Sequence, residues 1–129
     1  MLRSGILNPA VLSLLARVRH TNTLVIADRG FPTWPGVETV DLSLVDDVPT
    51  VAQVVFALRD NFVIGGVHAA EELRSANSAD AVAHHLSALR GLPVYFEPHL
   101  ALRARVTRAL GIIRTGDTTQ YANLVIESA

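Results

Sequence analysis

His20-Thr21-Asn22-Thr23-Leu24-Val25-Ile26-Ala27-Asp28-Arg29-Gly30-Phe31-Pro32 is the stretch on which the fold turns. Its centre, Leu24-Val25-Ile26-Ala27, is apolar without alternation. A strand with one wet face alternates apolar and polar residues. A strand apolar at every position is buried on both faces, as in a parallel sheet held between helix layers. Asp28 ends the run, and Gly30, Pro32, Pro35 and Gly36 punctuate the loop beyond it. The expectation is a central strand over residues 21–27, with a carboxylate at the head of the loop that leaves it.

Working outward, Asn8 is a good helix N-cap and Pro9 suits the first helical position. Val11, Leu12, Leu14, Leu15 and Val18 follow at helical spacing, and Arg17 and Arg19 fit the C-terminal end of a helix that closes near His20. Downstream, the pattern predicts a strand over 37–42, a turn over 45–49 and a helix from Thr50 to about 61. A buried strand over 62–64 is expected to break at Gly65-Gly66. Helices over 69–75 and 78–89, a strand over 93–96 and a helix over 100–110 follow. A strand over 111–114, a polar turn over 115–119 and a closing strand over 124–126 complete the chain. Alternating strands and helices predict an α/β fold: a three-layer single domain, residues 1–129, with a mixed, mostly parallel sheet between helices.

Composition narrows the function. Half of the 129 residues are hydrophobic and only 5% aromatic, so the core must be built from Val, Leu, Ile and Ala. A formal charge of −1 without a basic run argues against nucleic acid. No apolar stretch is long enough to span a membrane. The absence of cysteine excludes disulfides, thiolate metal sites and cysteine nucleophiles. Residues 1–9 lack the apolar run of a signal peptide, and a cytoplasmic protein is the expectation. High apolar content at near-zero charge favours association with copies of the same chain. No phosphate-cradling loop, dinucleotide fingerprint or nucleophile elbow is present, so no cofactor is expected. Acid–base chemistry or pure binding remains.

Histidines are the natural candidates for acid–base work near neutral pH. His20 lies at a helix–strand junction, either as a helix C-cap or as a functional loop residue. His99 starts a helix after Pro98, either solvated or functional. His84 and His85 read as surface residues of a helix. His68, near Glu71 and Glu72, lacks the two-histidine spacing of a zinc helix, and no metal site is expected. Asp28 is either a turn-starting residue or a ligand group, since ligands of open α/β sheets gather beyond the carboxyl ends of strands.

Several segments resemble, in order, the D-ribose pyranase and L-fucose mutarotase family: Gly5-Ile6-Leu7-Asn8, the stretch from His20 to Pro32, and Asp41-Leu42-Ser43-Leu44 followed by Val48-Pro49-Thr50. Ile113-Arg114-Thr115-Gly116-Asp117 and Tyr121-Ala122-Asn123-Leu124-Val125-Ile126 continue the resemblance to the end of the chain. It implies a cofactor-independent isomerase that interconverts monosaccharide ring forms, D-ribose first and L-fucose next. It implies a catalytic His20 and sugar-binding roles for Asp28, His99, Tyr121 and Asn123. It also implies a homo-oligomer, a ring such as a decamer, with sites between neighbours. The Ala122 of Tyr121-Ala122-Asn123 favours the pyranase branch. Arg19, Asn22, Arg29, Trp34 and Arg103 depart from the family pattern, and Asn22, Arg29 and Trp34 bear on the pocket. The rival readings are a non-catalytic sugar-binding or transport-accessory protein and a scaffold ring.

The chemistry suits the residues. Changing ring form opens a cyclic hemiacetal, which needs a proton delivered to the ring oxygen and another removed from the anomeric hydroxyl. An unperturbed histidine, with a pKa of about 6.5, serves both directions. Asn123 can donate and accept, as polyol recognition requires. Trp34 offers an apolar face for sugar C–H groups, or anchors its loop or a subunit contact. A straight strand over 21–27 holds its ends about 20 Å apart at roughly 3.3 Å per residue. His20 and Asp28 flank it, so a site that uses both is expected at a subunit interface.

Overall fold

The computed structural model describes all 129 residues. The fold begins with α1 (Pro9–Ala16), whose first turn is capped by the Asn8 side chain accepting from the Val11 N–H at 3.0 Å. This helix ends earlier than its apolar pattern suggests. The Arg17 and Arg19 side chains donate to the carbonyls of Ser13, Ala16 and Val18, satisfying the last turn, and Asn22 Oδ1 accepts from the Arg19 N–H. The chain then turns through Thr21, at φ 65°, into β1 (Thr23–Ala27). A β-branched residue in the left-handed region is rare. Here it is held by the Thr21 N–H donating to Ser128 O at 3.1 Å.

The remaining elements are β2 (Glu38–Asp41), α2 (Val51–Arg59), β3 (Ile64–Ala70), α3 (Glu72–Ala76), α4 (Ala79–Ser87), β4 (Val94–Glu97), α5 (His99–Arg105) with a 3-10 turn Val106–Arg108, β5 (Gly111–Arg114) and β6 (Leu124–Ser128). Thr50 and Gln53 form a reciprocal capping box at the start of α2. The strands make one sheet in the order β2-β5-β1-β6-β3-β4. β1 and β2 pair parallel to β5, β3 pairs parallel to β4, and β6 alone runs antiparallel, between β1 and β3. The mixed, mostly parallel sheet of a single α/β domain is therefore the observed architecture.

β1 explains its own sequence. Leu24 and Ile26 enter the larger core with Val11 and Leu14 of α1 and Val51, Val55 and Leu58 of α2. Val25 and Ala27 enter a second core on the opposite face, with Leu102 and Val106 beyond it. Both faces are buried from Leu24 to Ala27, so none of those positions is polar. No helix is long and apolar enough to cross a membrane.

Two expectations require correction. Gly65-Gly66 does not end a strand; β3 runs through both glycines, with a bulge between Ile64 and Gly66. A Cβ on Gly65 would lie 3.1 Å from Ala129 Cα and one on Gly66 3.3 Å from the Tyr95 ring, so glycine is what lets these neighbours approach. Ala69 and Ala70 accordingly belong to the strand rather than to a helix, and α3 starts only at Glu72.

Candidate functional site

Because β1 to β5 all point one way and β6 points back, the carboxyl ends of five strands share one edge with the amino end of β6. Asp28 leaves β1 there, His99 follows β4 and Tyr121-Ala122-Asn123 leads into β6. The Asp28 N–H donates to Asn123 Oδ1 at 2.8 Å, and Asn123 Nδ2 donates to Asp28 Oδ2 at 3.2 Å. Asp28 Oδ1 accepts from the Gly30 N–H at 2.9 Å, a local turn that sends the chain toward Phe31. Tyr121 meets His99 edge-on, with ring centroids 5.1 Å apart. Four of the five expected residues thus converge from segments far apart in the chain.

Each is held in place. The His99 backbone N–H donates to the Glu72 carboxylate, at 2.9 Å to Oε2, which ties the start of α5 to α3. Tyr121 sits at φ 54°, a conformation costing roughly 1–2 kcal/mol for a residue with a Cβ. The preceding residue is pinned by Asn77, whose Nδ2 donates to Gln120 O at 2.9 Å. Beneath the site, Asp117 is 3% exposed; its Oδ2 accepts from the Val51 N–H and its carbonyl from the Arg29 N–H. Thr115 donates its hydroxyl to Ala27 O at 2.8 Å, closing the floor under the end of β1.

His99 and Asn123 line a narrow cleft with Phe31, Leu102, Arg103 and Val125. The His99 Nδ1 is buried and has no hydrogen-bond partner. Burial pushes the Asp28 carboxyl up from its usual 3.8, opposed by the hydrogen bonds from Gly30 and Asn123; the Asp117 carboxylate pushes it further up and His99 pulls it down. A buried imidazole nitrogen awaiting a partner, a carboxyl of raised pKa and a carboxamide make a donor–acceptor set fit for hydroxyl groups.

His20 is not in this cluster. It is exposed and precedes β1, at the opposite edge of the sheet from Asp28. Arg29, beside Asp28 in sequence, turns outward to Asp46 at 2.6 Å and does not fill the cleft. His85 is not a surface residue. It is 2% exposed behind the Ala122 backbone, and burial lowers its pKa from 6.5. His68 stacks near Tyr95 on β3 and β4, with ring centroids 5.4 Å apart, and His84 is exposed. No three or more His, Asp or Glu side chains are arranged to hold a metal ion. Glu72 and Asp117 position the site, and nothing in their local sequence marks that role. Only the fold brings Glu72 to His99, 27 residues away.

Comparison with known proteins gives one answer. The profile of the RbsD / FucU transport protein family matches residues 1–129. A D-ribose pyranase of Geobacillus kaustophilus is 39% identical over 128 residues, covering 99% of this chain and 93% of the relative. D-ribose pyranase 2 of Streptomyces griseus is 37% identical over 131 residues, covering 98% of this chain and 95% of the relative. Among solved structures, Bacillus subtilis RbsD complexed with D-ribose superimposes with a TM-score of 0.90 at 30% identity, covering 100% of this chain and 98% of that one. The fucose mutarotase of Streptococcus pneumoniae, in complex with L-fucose, has the same fold, with a TM-score of 0.78 at 14% identity over 95% of this chain and 92% of that one.

Proposed function

This chain belongs to the RbsD / FucU transport protein family, and from that premise we propose that it is a cofactor-independent sugar isomerase that interconverts the pyranose and furanose forms of D-ribose. The observation that carries the reading is the convergence of Asp28, His99, Tyr121 and Asn123 at the carboxyl edge of the sheet, with the His99 Nδ1 unpartnered. The ribose complex of a relative with the same fold over its whole length supports the choice of sugar.

In this reading, Asp28, His99, Tyr121 and Asn123 hold the sugar hydroxyls. His20 delivers a proton to the ring oxygen as the ring C–O bond breaks, while a basic group of the site accepts the anomeric proton. The open-chain aldehyde then recloses through a different hydroxyl, and the two proton transfers run in reverse. Since His20 lies across the sheet from its own Asp28, the site takes His20 from a second copy of the chain. The assembly is then a homo-oligomer whose interfaces join the two edges head to tail, which a ring closes. Arg29 is paired with Asp46 and does not line the cleft, so it is not a group that occludes it.

The test is exchange NMR on D-ribose with catalytic amounts of protein. Faster exchange between pyranose and furanose signals is expected, and exchange at the uncatalysed rate sinks the reading. L-fucose anomers are the next substrate to try.

A further inference from the structure

Trp34 is the chain's only tryptophan, and it lies in the loop that leaves the sugar site. The Asp28 turn aims that loop across the second core, where the Trp34 ring stacks on Phe31 with centroids 5.9 Å apart and planes 17° apart. The Arg103 guanidinium lies over the Trp34 ring, 5.3 Å from its centroid. No carboxylate pairs with Arg103; the ion pairs of the chain use Arg17, Arg29, Arg105 and Arg114. The indole face is therefore what holds this cation.

Arg103 and Phe31 both line the cleft that contains His99 and Asn123. Every other lining residue is buried or half-buried, and Arg103 alone is exposed. The cleft is nearly closed as it stands, so a bound sugar needs one of its walls to yield. Arg103, the one exposed wall, can move without unpacking the second core. One turn of α5 separates it from His99, so its donors face the same space.

From this geometry we infer that Trp34 is a positioning residue: it parks the Arg103 guanidinium at the mouth of the sugar cleft, and the Trp34–Arg103 pair sets how tightly the monosaccharide is held. The inference rests on the sugar-isomerase reading for its substrate. It predicts a pair that acts on binding of the polyol and leaves the proton transfers alone. A guanidinium released from the indole loses its orientation and must be ordered again by the sugar.

The experiment uses the whole protein and D-ribose. Trp34→Ala is expected to raise KM about two- to fivefold, the range of an exposed cation–π contact, with kcat retained. Trp34→Phe, which keeps a ring in the stack, is expected to raise it less. In an Arg103→Ala background, Trp34→Ala should add nothing further, because the cation it positions is gone. Equal effects in both backgrounds, an unchanged KM, or a loss confined to kcat would overturn the inference. Thermal unfolding of each variant separates a packing defect from a positioning one. The tryptophan also reports directly: D-ribose should change its emission in the wild type, and Arg103→Ala should diminish that change. Catalysed ring exchange with an unresponsive emission overturns the inference and leaves the isomerase standing. A responsive emission without catalysed exchange does the reverse. No response in either overturns both.

Discussion

If one site draws Asp28 from one chain and His20 from another, two dead variants should revive each other. The geometry sets the premise. β1 alone spans about 13 Å at roughly 3.3 Å per residue, with the His20 turn before it and Asp28 after it, on opposite edges of the sheet. No side chain closes that gap around one sugar. In the proposed mechanism His20→Ala removes the proton donor and should lose about 100-fold or more of the ring-exchange rate, the usual worth of a general acid, and Asp28→Asn removes the carboxylate that holds the sugar and should be comparably impaired. Unfolding the two together and refolding them in equal amounts assembles rings at random. A site joining neighbours then combines an intact His20 with an intact Asp28 in about one case in four, half the sites carry one lesion and the rest carry both. The mixture should recover roughly one quarter of the wild-type rate in exchange NMR on D-ribose. Recovery no greater than the mean of the two variants would refute the shared site, and would require His20 to act within its own chain or not at all.

Asn123→Ala leaves the Asp28 N–H without its acceptor and should cost about 1–3 kcal/mol in denaturant unfolding, along with the ring-exchange activity. His85 titrates below its usual 6.5 because it is buried, so the unfolded chain takes up its proton first as the pH falls. Its stabilising contribution is present above pH 6.5 and is lost as the pH falls through its lowered folded value, so the melting temperature should drop in that window. His85→Gln should flatten the drop; an unaltered slope would mean that other groups, His68 among them, account for it. Gly116→Ala would set a Cβ 2.3 Å from the Val45 carbonyl, and the resulting overpacking should cost about 3 kcal/mol in unfolding.

The strand at residues 24–27 was legible because burial on both faces leaves only apolar choices, and that pattern needs no knowledge of neighbours. The helix ends were less legible. α1 stops at Ala16 since arginine and asparagine side chains satisfy its last turn, a bargain that spacing alone does not reveal. Gly65-Gly66 misleads for a related reason: the propensity of glycine to break strands is overridden where Ala129 and Tyr95 press against the backbone. His85 carries the same lesson, since a histidine on an amphipathic helix is read as exposed until the sheet behind it is placed. Of the site, Asp28 was visible from its position at the end of a buried strand. His99, Tyr121 and Asn123 were reached by resemblance, because no local pattern links residues so far apart in sequence. Glu72 was weighed only as a neighbour of His68; its tie to His99 exists only once α3 and α5 are side by side.

The reversed strand is what assembles the candidate site in this sheet. In an all-parallel sheet, ligands gather where neighbouring connections leave in opposite directions, beyond the carboxyl ends of the strands. Here the connections from β1 and β3 diverge to opposite sides of the sheet order, and β6 fills the gap between them antiparallel. Its amino end therefore arrives at the crevice instead of leaving it, bringing Asn123 against Asp28 and Tyr121 against His99 without any long loop. Asn123 is consequently fixed by β6 on one side and by two hydrogen bonds to β1's end on the other. That rigidity suits a polyol site, because hydroxyl recognition depends on donors and acceptors set before the ligand arrives. The same topology sends the amino end of β1, with His20, to the far edge, so the strand that leads into Asp28 keeps the proposed proton donor away from it. In the proposed reading a second chain supplies that donor. On that proposal assembly is a condition of catalysis: a variant held monomeric should leave the ring exchange of D-ribose at the uncatalysed rate, and a fully active monomer would overturn it.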